Sequence, residues 1–201
     1  MRTAAAALLL TFLAATSARA EGVTQEPRKI VETKSAQIRD LVLTAKSDDE
    51  MREKVKPLMD EFVNFAEFGE LCLGDWWGKI TPAQKATYLV EFKALLQRTY
   101  LRRFKAGRDF AVQYRSDTRV NSVGDRAEVQ TTLASKDVSA DVDYRFHLLD
   151  GKWLVYDLVV DEVSVMRNYR KSFLKVLEKD GFDKLIEKMK KKTSEKDEDD
   201  Q

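Results

Sequence analysis

Apolar and polar positions fall into two regimes along the chain. From residue 24 to about 106, and again from 163 to about 191, apolar residues recur at spacings of three and four, the period of a helix with one buried face. From 110 to 162 they alternate with polar residues or run together, as in strands. That order predicts an α+β domain with helices on one side of an antiparallel sheet.

The clearest helix begins at "TPAQ". Thr81 suits the N-cap, Pro82 the first helical position and Gln84 the far side of a capping box. Tyr88, Phe92, Leu95, Leu96 and Thr99 form one stripe, which Leu89, Tyr100 and Phe104 widen before Gly107 stops the helix. Residues 30–43 and 48–63 read as amphipathic surface helices, and Phe65 to Leu73 as a short one ended by Gly74. Strands are expected over 110–120, 126–134, 140–149 and 153–160, with turns at Gly124-Asp125 and Asp150-Gly151.

The third strand alternates cleanly. Val142, Tyr144, Phe146 and Leu148 face one way; Asp141, Asp143, Arg145 and His147 face the other. The fourth does not. Trp153, Val155 and Val159 share a face with Asp157, while Leu154, Tyr156, Leu158 and Val160 make an equally apolar second face. Which of the two meets the interior stays open at this level.

The N-terminus changes the picture of where the domain works. Arg2, an apolar run from Ala4 to Ala15 and Ala18-Arg19-Ala20 form a secretory signal peptide, predicted to be cleaved after Ala20. The run is shorter than the ~20 residues a membrane-spanning helix needs. Cleavage leaves 181 of the 201 residues. A single domain is expected over 21–191, with 192–201 a disordered charged tail. The leader carries two arginines and no acid, so its loss takes the formal charge from +1 to −1. A near-neutral chain with dispersed cations argues against nucleic acid, whose binding rests on phosphate neutralisation. Cys72 is the single cysteine and lies between two leucines, as a buried structural thiol would.

Catalytic signatures are scarce. His147 is the single histidine and reads onto the wet sheet face. The sequence has no nucleophile elbow, no phosphate-binding glycine loop and no ligand cluster for a metal, so neither metal nor cofactor is expected. Asp157 is the sharpest acid–base candidate, a carboxylate in an apolar strand; the competing reading pairs it with Arg145 or Arg167. The positive signal is an excess of bulky apolar residues on inward faces, which would make either a plain core or a lined cavity.

Two stretches carry a family resemblance. "LCLGDWWGKITPAQKATYLVEFKALLQRTY" resembles the L-G-x-x-W/Y … A-T-P-x-Q … F-x-x-L-L-x-x-T-Y run of the MlaC/toluene-tolerance family of periplasmic phospholipid-binding proteins. "GKWLVYDLVVDEVSVMRNYRKSFLKVLEKDGFDKLIEKM" resembles its second run, W-x-V-x-D-V-x-x-E-G-V-S, N-x-R-x-x-F and G-x-D-x-L-I. Ile80 replaces a usual alanine, and Glu162 stands where glycine is usual before Val163-Ser164.

The resemblance implies a curved four-stranded sheet over about 110–160, enclosed by N- and C-terminal helices around an apolar pocket. It implies a non-enzymatic periplasmic carrier that shuttles phospholipid between outer and inner membrane to maintain outer-membrane asymmetry. Its partners would be an inner-membrane ABC transporter with an MCE-domain subunit and an outer-membrane lipoprotein–porin complex. The expected lipid-binding residues are Phe65, Leu71 and Trp76; Phe92, Leu95, Tyr100 and Phe104; Tyr144 and Phe146; Leu154, Tyr156 and Leu158; and Met166, Tyr169 and Phe173. Arg98, Arg102 and Arg103 either meet a head-group phosphate or form a solvated helix face. A cavity-free periplasmic adaptor and a pocket enzyme using Asp157 remain as alternatives.

Overall fold

The computed structural model describes residues 15–136 and 139–195. Residues 1–14 of the expected leader and 196–201 of the expected tail lie outside that range. Helix α1 spans Ala15–Thr44, α2 Asp48–Phe62, α3 Phe65–Leu73, α4 Pro82–Leu101 and α5 Val165–Ser194, with a 3-10 turn at Gly74–Gly78. The last helix therefore continues past 191 into the segment expected to be tail. The strands are β1 Phe110–Tyr114, β2 Arg119–Val120, β3 Arg126–Ser135, β4 Ser139–Leu149, β5 Lys152–Val160 and β6 Val163–Ser164.

Local chemistry sets the helix ends. Ser47 accepts from the Glu50 amide to start α2, Thr81 and Gln84 form the expected capping box on α4, and Ser164 accepts from the Arg167 amide to start α5. Helix α4 stops at Leu101, short of the expected Gly107. The amides of Arg103 and Phe104 bond to carbonyls three residues back, tightening the chain into turns that aim Phe104 at Phe110. At Gly181 the φ of +82° breaks α5 into two packed segments.

The sheet is antiparallel in the order β1-β3-β4-β5-β6, with β2 also on β3. The expected first strand is thus two pieces, β1 and β2, which pair with β3 either side of a bend at 115–118. Its register resolves the question left by strand β5. Tyr144 lies opposite Leu158 and Arg145 opposite Asp157, but Phe146 lies opposite Val155, so Tyr156 is an extra, bulged residue. Inserting one residue exchanges the faces. Trp153 and Val155 point inward before the bulge, and Leu158 and Val160 after it.

The interior forms three clusters. A helical core centres on Phe68, Tyr88, Phe92, Phe173 and Leu177 of α3, α4 and α5. A second core joins Val31 of α1 to Val129, Phe146, Trp153 and Val155 on the inner sheet face. A third joins Val42 of α1, Met51 and Val55 of α2, Leu101 and Phe110. The outer face is an ionic lattice: Arg145 bridges Glu128 and Asp157, Arg115 pairs with Asp143, and Glu67 holds both Arg126 and His147.

Candidate functional site

The candidate site lies where α1 crosses the inner face of the sheet at its β1–β3–β4 end. Helix α1 presents Val31, Lys34, Ser35 and Ile38 at spacings of three and four. Phe62 closes one side, Phe104 and Phe110 another, and Leu133 and Tyr144 form the floor. Inside is a cavity of about 40 Å³. Pockets that hold drug-sized ligands run to roughly 300–1,000 Å³, so the site as it stands is too small for a lipid. Burial pushes the Tyr144 phenol well above its ordinary pKa, consistent with an apolar floor.

Outside the cavity, α1 and β1 form an open groove of about 550 Å³. Groove and cavity share two lining residues, Ser35 and Phe110. Phe110 stands between them at 9% exposure, its ring 5.3 Å from that of Phe104 in an edge contact. At the rim, Arg39 grips Asp109 with two hydrogen bonds of 2.5 Å.

Of the expected lipid-binding residues, the cavity brings together Phe104 and Tyr144. Phe146 and Leu158 belong to the adjoining sheet core, and Leu158 reaches the helical core as well. Phe65, Trp76, Phe92, Leu95, Tyr100, Met166, Tyr169 and Phe173 belong to the helical core, where Phe92 stacks on Tyr88 and meets Tyr169 and Phe173 edge-on. Leu154 and Tyr156 stand on the outer face: Leu154 pairs with His147, and Tyr156 lies under the Arg126 guanidinium at 4.6 Å. The bulge turned them outward. Leu71 is half-buried outside all three clusters. Val31, Lys34, Ser35, Ile38, Phe62, Phe110 and Leu133 also line the cavity and lie outside the expected set; for α1 the three-and-four spacing on residues 30–43 is the signal in the sequence.

The candidate reactive groups have structural duties. Asp157 is fully buried and accepts from Arg145 (3.1 Å), the Ser164 hydroxyl (2.8 Å) and the Met166 amide (2.9 Å), the pairing that competed with catalysis. Cys72 is fully buried, its thiol pushed up by desolvation and next by the Asp157 charge, and unreactive for that reason. His147 Nδ1 sits 2.9 Å from the Glu67 carboxylate. Among the described residues no group of three or more His, Cys, Asp or Glu could hold a metal ion. Arg98 and Arg102 line a different groove, between α2 and α4, and Arg103 lies 5.4 Å over the Tyr100 ring. No described helix is long and apolar enough to cross a membrane.

Comparison with known proteins agrees with this architecture. A solved phospholipid-binding protein from Ralstonia solanacearum, in complex with a phospholipid, superposes with a TM-score of 0.71 at 23% identity. That match covers 86% of this chain and 97% of the other. The intermembrane phospholipid transport system binding protein MlaC of Haemophilus influenzae is 23% identical over 137 residues. The aligned part is 67% of this chain and spans 64% of that relative's length. The profile of the MlaC protein family matches residues 28–191, nearly all of the described chain, and the protein belongs to that family.

Proposed function

We propose that this protein is a periplasmic carrier that holds phospholipid by its acyl chains in the seam between α1 and the sheet. The observation that carries the reading is the mainly apolar cavity shared by Ile38, Phe104, Leu133 and Tyr144, where the second and third cores meet in an MlaC-family chain. Both of those cores are built from α1 and sheet residues, and the void marks where their packing is thinnest. The aromatic stack of Phe92, Tyr88 and Phe173 would have to be broken to admit a chain, which favours the seam over the helical core.

The energetics suit a shuttle. Burying a methylene is worth about 0.8 kcal/mol, so an acyl chain of ~15 methylenes gains about 12 kcal/mol relative to water. A bilayer offers a similar gain, which leaves transfer between membrane and carrier nearly balanced. The carrier then needs no catalytic group, and direction comes from its partners. An inner-membrane ABC transporter with an MCE-domain subunit and an outer-membrane lipoprotein–porin complex are the partners this reading names, with maintenance of outer-membrane asymmetry as the outcome.

Native mass spectrometry of the mature protein, followed by organic extraction, tests it. Phospholipid bound stoichiometrically and released on denaturation is the expected result. Protein that stays empty after incubation with phospholipid vesicles would leave the family fold with a different task.

A further inference from the structure

We propose that phospholipid enters and leaves between α1 and β1, and that the Arg39–Asp109 ion pair is the latch across this mouth. The inference rests on the carrier reading and adds to it the route and the residues that hold the route shut.

Continuity of space gives the route. The open groove and the small cavity have Ser35 and Phe110 in common, so moving these two joins a solvent-facing channel to the mainly apolar interior. Phe110 is the plug, with Phe104 behind it. The groove is flanked by small residues, Ala36, Ala111 and Ala134, which leave width for an alkyl chain.

Connectivity gives the latch. Asp109 is the residue before the plug. Its Oδ1 accepts from Arg39 Nε of α1 and also from the Phe110 backbone N–H at 2.8 Å. One carboxylate thus ties α1 to the backbone of the plug residue. Both partners are about half exposed, so the tie is accessible, screened by salt and individually weak. A weak tie suits a gate that opens on every delivery. A second strap, Gly107 N–H to Val42 carbonyl at 2.7 Å, holds the same corner to the end of α1 and makes the chain between them the natural pivot.

The test is transfer of a fluorophore-labelled phospholipid from loaded, full-length mature protein to acceptor vesicles. Arg39→Ala and Asp109→Asn should each speed transfer about 1.4- to 5-fold, the range set by an exposed ion pair. The reversed pair, Arg39→Asp with Asp109→Arg, should return the rate toward wild type. In molar salt the advantage of the single variants should shrink. Arg39→Cys with Asp109→Cys, joined by a reducible bismaleimide, should transfer nothing until the linker is reduced. The native Cys72 is fully buried and will not compete for the reagent. Transfer from the linked protein at the unlinked rate would overturn the mouth, and single variants at wild-type rate would overturn the latch. Wild-type protein that neither holds nor transfers phospholipid would overturn the carrier reading instead.

Discussion

Glu162 carries strain that a single change would relieve. Asp161 and Glu162 form the two-residue turn between β5 and β6 and have φ of +46° and +67°. Both sit in the left-handed region that a primed hairpin turn requires and that favours glycine. Asp161 is repaid: its amide bonds to the Asp141 carbonyl at 2.9 Å, and its carboxylate accepts the Asp141 amide at 3.0 Å. Glu162 is exposed and shows no such bond. The departure from the family pattern seen in the sequence is thus a conformational one. We expect Glu162→Gly to stabilise the protein by about 0.5–1 kcal/mol. Thermal denaturation should show a rise of roughly 1–4 °C; a fall would mean that Glu162 makes a contact of its own.

Asp157 works at the scale of elements. Its carboxylate joins β4 through Arg145, β6 through Ser164 and the first turn of α5 through the Met166 amide. A buried carboxylate at a helix start also faces the favourable end of the helix dipole. Asp157→Ala leaves Arg145 with Glu128 alone and strips a bond from the start of α5. We expect a loss of about 3 kcal/mol, the lower end for breaking a buried pair, because Arg145 keeps a second partner. Denaturant titration checks this, and a loss below ~1 kcal/mol would remove the carboxylate from its joining role.

The element scale also shows how far the sequence could be read. Caps at Ser47, Thr81 and Ser164 act within one turn, and the capping box on α4 was visible in "TPAQ". The alternation of β4 placed Tyr144 and Phe146 inward, because a strand of regular pleat keeps its parity. Strand β5 broke that logic. A bulge is set by pairing with the neighbour, so Leu154 and Tyr156, on the same sequence face as Leu158, ended on opposite sides of the sheet from it. Likewise, the stripe on α4 was legible, but its partners were not. Phe92 fills a closed aromatic cluster, while Phe104, just past the helix end, reaches the cavity.

At the scale of the molecule, the arrangement is three cores with a seam. The residues alone allowed either a plain core or a lined cavity, and the family resemblance implied an apolar pocket; in the structure most of those aromatics pack among themselves, with a small void where α1 meets the sheet. The ionic lattice on the outer face ties β4 to β3 and β5, so in the proposed opening the sheet would stay whole while α1 moved away from its inner face. Photo-cross-linking with a phospholipid bearing a diazirine in its acyl chain, mapped by peptide mass spectrometry, tests this division most directly. Adducts on the α1 segment from Val31 to Ile38 and on Phe104, Leu133 and Tyr144 are the predicted result. Adducts confined to Phe92, Tyr169 and Phe173 would place the lipid in the helical core and contradict the account.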